Sequence, residues 1–219
     1  MNIRSRLSVA SAVAVALVAS SASADILPVS RSSLAYSYLN TQPAAFTAST
    51  TSFDPFSAHF SFADQESSLS NTAISGQLYI DPMGSSSPMN PSQATATSSF
   101  SLSFHVDTAT PFVITGDISF WGMTTSFRLT EGDANGTLLY APTMVPNGPF
   151  GAQQGTISYA GLLVPGDYTL TAMTTGTSGG ASQPYYGRIN FEVNAAPTPG
   201  AAALGLLGLA GVAGKRRRR

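Results

Sequence analysis

The chain contains no cysteine, which excludes a disulfide framework, a cysteine-ligated zinc or iron–sulfur site and a thiol nucleophile. Charge is scarce as well. Only 10% of the residues are Asp, Glu, Lys or Arg, against about 25% in ordinary globular domains. That scarcity argues against a long coiled coil and against a nucleic-acid binder with basic patches along its length. What stands in place of charge is hydroxyl: 31 Ser and 22 Thr make up 53 of the 219 residues.

The near balance of 10 Lys+Arg against 11 Asp+Glu conceals a segregation. Between residues 25 and 196 the only cations are Arg31, Arg128 and Arg188; set against all 11 acids they leave eight net negative charges. The remaining seven positives, Arg4, Arg6, Lys215, Arg216, Arg217, Arg218 and Arg219, lie in the two terminal segments. The protein reads as an acidic body between two basic ends.

Residues 1–24 fall into three zones: Arg4 and Arg6, an apolar run over 9–19, and Ser20-Ser21-Ala22-Ser23-Ala24. A charged start, a short apolar core and an Ala-x-Ala exit predict a secretory signal peptide, cut after Ala24 by signal peptidase. The apolar run is shorter than the ~18 residues needed to span a bilayer. A mature chain starting at Asp25 has no disulfides and must be held by its core alone.

The other end reads Pro197-Thr198-Pro199-Gly200, then the apolar segment 201–214, then Lys215 and four arginines. Those 14 apolar residues reach ~21 Å as a helix against a hydrocarbon core of ~30 Å. Such a helix spans only where the bilayer thins and the basic stems snorkel, so a marginal, transient inner-membrane anchor is expected. The basic residues at both ends should stay on the cytoplasmic side, leaving the body outside. A basic tail that binds nucleic acid would have no use for the abutting apolar run, so no nucleic-acid partner is expected.

Residues 197–219 resemble the PEP-CTERM sorting signal of exported proteins in polysaccharide-producing Gram-negative bacteria. Pro197 and Pro199 match its two prolines, Thr198 stands where that family carries Glu, Gly200 follows, and the apolar segment and Lys215 to Arg219 match its helix and basic cluster. The resemblance implies recognition by an exosortase-like membrane protease, a cysteine protease that cleaves there and delivers the body to the cell surface or extracellular matrix.

Between the ends, period-two patterning organises the sequence. In 99–107, Phe100, Leu102, Phe104 and Val106 alternate with polar residues, the signature of a half-buried strand. Similar patterns over 34–39, 56–62, 73–80, 112–121, 126–129, 137–140, 156–160, 167–173 and 188–193, separated by Gly, Pro, Asn and Ser, predict about ten short strands. The expected fold is all-β: one antiparallel β-sandwich or jelly-roll domain over 25–196, flanked by an N-terminal signal helix and a short C-terminal membrane helix. Residues 163–172 also resemble a turn and strand common near the end of sandwich domains that carry PEP-CTERM tails.

Candidate chemistry is sparse. Glu131, Asp133 and Asn135, with Gly136 sixth, resemble the start of a calcium loop, but the twelfth position is Pro142 where a bidentate acid is required. An Asn-Gly hairpin turn explains the same residues. Gly176-Thr-Ser178-Gly-Gly180 fits the hydrolase pattern Gly-x-Ser-x-Gly, which works only in a strand–turn–helix elbow. His59 and His105 are the only histidines; His105 and Asp107 share a strand face and could hold a corner of a metal site, or be surface residues. Trp121, beside Ile118 and Phe120, reads as core, whereas Tyr185 and Tyr186 after Pro184 could be displayed together as a saccharide platform.

The composition and the two addresses together predict a non-enzymatic exported structural or adhesive protein without cofactor. The alternative is a carbohydrate-binding module engaging exopolysaccharide through Tyr185 and Tyr186, with a secreted hydrolase third.

Overall fold

The computed structural model describes residues 26–40, 44–82, 93–147, 151–178 and 185–195. The signal peptide with Ala22 and Ala24, and the sorting signal over 197–219, lie outside the described residues. Among the described residues the regular structure is β, with no α-helix.

Thirteen strands form two antiparallel sheets. The six-stranded sheet runs in the order β2 (Phe46–Thr50), β1 (Ile26–Leu39), β6 (Ala94–Val106), β12 (Gly166–Ser178), β8 (Thr124–Glu131), β9 (Thr137–Tyr140). The seven-stranded sheet runs β10 (Val145–Pro146), β11 (Gln153–Leu163), β7 (Thr110–Trp121), β13 (Tyr186–Ala195), β5 (Ala73–Ile80), β4 (Ala63–Leu69), β3 (Phe56–His59). The count exceeds the expected ten, and the central strands are longer than the sequence pattern marked. β6 begins at Ala94 because its first inward positions, Ala94, Ala96 and Ser98, are buried yet small. No large apolar side chain advertises them.

The inward faces of both sheets meet in one core. Phe191 of β13 packs with ring centroids 5.5 Å from Phe100 of β6 and 5.3 Å from Phe127 of β8, so one aromatic from the larger sheet sits between two from the smaller. Its cross-strand neighbours on both sides are glycines, Gly76 and Gly116. A Cβ at Gly76 would come within 2.5 Å of the Phe191 ring, so the absence of a side chain there is what admits the ring. Burying an aromatic of this size contributes about 1.5–3 kcal/mol.

Where the chain crosses from β11 to β12, the buried Tyr168 hydroxyl donates to Val164 O at 2.6 Å, a bond of the kind that pins corners in two-sheet folds. Residues 163–172 therefore form a turn and strand as the sequence reading expected, with the turn carrying the chain from one sheet to the other.

The hydroxyl surplus also has a place. On the outward face of β6 and β12, Thr95 and Thr177 lie 2.9 Å apart, Thr97 and Thr175 2.7 Å, and Ser103 and Thr169 3.2 Å, oxygen to oxygen. These side chains satisfy one another across the strand pair.

Candidate functional site

The residues singled out by sequence occupy separate places. Glu131, Asp133 and Asn135 make the β8–β9 hairpin connection. Asp133 Oδ1 accepts the Asn135 N–H at 2.8 Å, the Gly136 N–H donates to Asp133 O at 3.0 Å, and Gly132 takes φ 82°. This is an Asx turn closed on its own backbone, with Thr130 Oγ1 donating to Asp133 O at 2.8 Å. Ser178 is the last residue of β12 and is buried, its Oγ accepting the Ala94 N–H at 3.4 Å.

His105 sits between two carboxylates: Asp167 Oδ1 at 2.6 Å from Nδ1 and Asp107 Oδ1 at 3.2 Å from Nε2. The sequence pairing of His105 with Asp107 is therefore a real contact, and register adds Asp167, which β12 places directly opposite His105. The hydrogen bond to Asp167 leads in raising the His105 pKa above 6.5, with smaller contributions from the charges of Asp167 and Asp107. Because the two acids hold opposite ring nitrogens, they do not converge with the imidazole on a common ion. Among the described residues, no group of three or more His, Asp or Glu could hold a metal ion.

His59 is likewise flanked, with Asp64 Oδ1 at 3.4 Å from Nδ1 and Glu66 Oε1 at 3.1 Å from Nε2. Ser57 Oγ lies 2.9 Å from the same Nε2, which gives a Ser–His–Asp line. Carboxylates thus flank the ring at both nitrogens, and Ser57 shares Nε2 with Glu66.

The two tyrosines part company. Tyr185 packs inward against a small cluster of Ala63, Ile80, Ala96 and Met123, its ring 6.3 Å from Trp121. Tyr186 opens β13 and pairs across it with Trp121 of β7. Strand alternation places Tyr186 on the same face of the seven-stranded sheet as Arg188, Asn190 and Glu192, which is the outer face. Trp121 is half-buried on that face.

That outer face carries a constellation the sequence reading missed. The register aligns Ser57, Glu66, Gln77, Asn190, Asp117 and Thr156 in one row across β3, β4, β5, β13, β7 and β11. The neighbouring row is His59, Asp64, Tyr79, Arg188, Ser119 and Gln154, and beyond it stand Tyr186 and Trp121. An open groove of about 730 Å³ lies over part of these rows, lined by Ser57, Glu66, Gln77 and Asn190 of the first, by Arg188 of the second, and by Ser75 and Glu192 on the side away from Tyr186 and Trp121. The Tyr79 hydroxyl donates to Asp81 at 3.2 Å; burial, reinforced by Asp81, pushes its pKa up, so it remains a neutral phenol. Asn190 Nδ2 donates to Asp117 Oδ1 at 2.9 Å, and that bond leaves the shielded Asn190 Oδ1 without a partner among the described residues.

One wall of the groove is Pro55 and Phe56, and what holds that wall is buried. Arg31, 4% exposed, extends from β1 to the segment linking β2 to β3. It donates to Ser52 O at 3.0 Å, to Asp54 O, to Ser67 Oγ at 2.5 Å and to Ser33 Oγ at 3.1 Å, with its guanidinium 5.8 Å from the Phe100 ring centroid. Burial lowers its pKa and the Asp54 charge partly opposes that. The group is held by carbonyls and hydroxyls instead of a paired carboxylate. In sequence Arg31 is a lone cation in an otherwise weak strand pattern, and nothing there marks it as inward.

A scan against protein-family models found no match to this chain, and a search of curated proteins found none either.

Proposed function

We propose that the chain is the precursor of an exported, non-enzymatic protein of the cell surface or extracellular matrix. It would comprise a signal peptide over 1–24, a β-sandwich body over 25–196 and a PEP-CTERM-like sorting signal over 197–219 acted on by an exosortase-like membrane protease. The observation that carries this reading is the sequence layout, an acidic body between a charged-apolar-Ala-x-Ala start and a Pro-x-Pro, apolar, basic end; the placement of the two ends of the described body is compatible with it. The Ile26 N–H donates to Asn71 O at 2.7 Å and the Ala195 N–H to Thr72 O at 2.8 Å. Both ends of the described body are thus tied to consecutive residues of one turn. The body's acidic charge keeps it soluble once released.

Intact mass of the mature protein tests the proposal. The expected form begins at Asp25 and has lost the basic tail; a surface form running from Met1 to Arg219 overturns both the signal and the sorting assignments.

A second reading, a carbohydrate-binding module engaging exopolysaccharide, is favoured by the row that brings Tyr186 opposite Trp121 beside the polar groove. It changes the aromatic pair expected from sequence, replacing Tyr185 with Trp121.

A further inference from the structure

The two outer faces differ in what their polar groups have left to offer. On the six-stranded sheet the hydroxyls of Thr95, Thr97, Ser103 and their partners are spent on each other. On the seven-stranded sheet, the Gln77 amide and the Arg188 guanidinium line the groove and make no hydrogen bond or ion pair to another described residue. Asn190 Oδ1, between them in register, lacks a donor. These are planar, multidentate groups, suited to vicinal hydroxyls.

We propose that this groove binds a neutral polysaccharide chain through Gln77, Asn190 and Arg188. The inference rests on the carbohydrate-binding reading above and adds the ligand's site and charge class. Length argues for a polymer: the groove is lined from five neighbouring strands, β3, β4, β5, β13 and β7, which at ~4.8 Å spacing span ~19 Å, long enough for several pyranose units. Charge argues for neutrality. The groove and its adjoining rows present Asp64, Glu66, Asp117 and Glu192 against the single cation Arg188 among the described residues there, so a uronate-bearing chain meets four carboxylates and is repelled. Hydroxyls suffer no such repulsion and can donate to the same carboxylates.

Affinity electrophoresis of the full chain tests this, with native gels cast with hydroxyethylcellulose, galactomannan or dextran as neutral polymers and with alginate as the anionic one. Retardation is expected in at least one neutral gel and not in alginate. Gln77→Ala and Arg188→Ala, both at exposed positions, should each weaken that retardation by about tenfold, the effect of one or two lost hydrogen bonds to a charged or amide group, with unchanged thermal unfolding. Thr97→Val, on the opposite sheet, should bind as the parent does. Free mobility in all three neutral gels, stronger retention by alginate, or groove variants that bind like the parent would each overturn the proposal. None of these outcomes touches the export reading, which the mature mass decides independently.

Discussion

His105 shows how much a single residue owes to its neighbour across the sheet. Its ring is held by Asp167 from β12 and Asp107 from its own strand end, and its pKa lies above the unfolded value of 6.5. A raised pKa means that the folded state holds the proton more tightly. The stabilisation is fully present below pH 6.5 and is lost as pH rises through the folded value. We expect an NMR titration of the His105 ring to give a midpoint above 6.5, and the thermal midpoint of the parent to fall with pH across that window. In His105→Gln the His105 part of that slope should vanish; an unshifted midpoint would show that the two contacts do not bind the imidazolium. The spacing of His105 and Asp107 was legible in sequence. Asp167 was not, because only strand register brings residue 167 opposite residue 105.

At the scale of elements, β4 is the instructive case. Its inward residues are Ala63, Gln65 and Ser67, so no alternation of large apolar side chains announces a strand. Those polar residues are inward because Arg31 is. Ser67 Oγ accepts from the guanidinium and also from Gln65 Nε2 at 3.0 Å, and the same guanidinium pins the crossing from β2 to β3 that walls the groove. Replacing Arg31 with Met would preserve bulk but remove the donor to the carbonyls of Ser52 and Asp54 and to the hydroxyl of Ser67. Ser52 and Asp54 are exposed residues whose carbonyls water can reach, and Ser67 keeps the Gln65 donor, so a loss of about 1–2 kcal/mol is expected in urea unfolding. Because Pro55 and Phe56 follow the released carbonyls directly, polysaccharide retardation should weaken in Arg31→Met even where the protein remains folded. A variant with an unchanged urea midpoint would remove Arg31 from this structural role.

The whole molecule places both ends of the body on one turn, through Ile26 and Ala195. Joining residue 195 to residue 26 by a short linker, with new ends between Pro82 and Gln93 in the connection from β5 to β6, should therefore give a permutant that unfolds cooperatively near the parent's midpoint. A permutant that fails to fold would mean that the two ends are not neighbours.

Period-two patterning determined that the described body is all-β, because a strand's buried face is written locally in every second residue. The basic ends and the acidic middle are likewise properties of composition along the chain, and they carry the export reading without any fold. Which strands lie side by side is decided by long-range pairing, and only that pairing unites Gln77 with Asn190, Trp121 with Tyr186 and His105 with Asp167. Tyr185, just before β13, packs against the small cluster around Met123, whereas Tyr186 opens the strand on its outer face. A functional surface on a sheet runs perpendicular to the chain, so its residues are distant in sequence, and the tertiary structure alone brings them into one row.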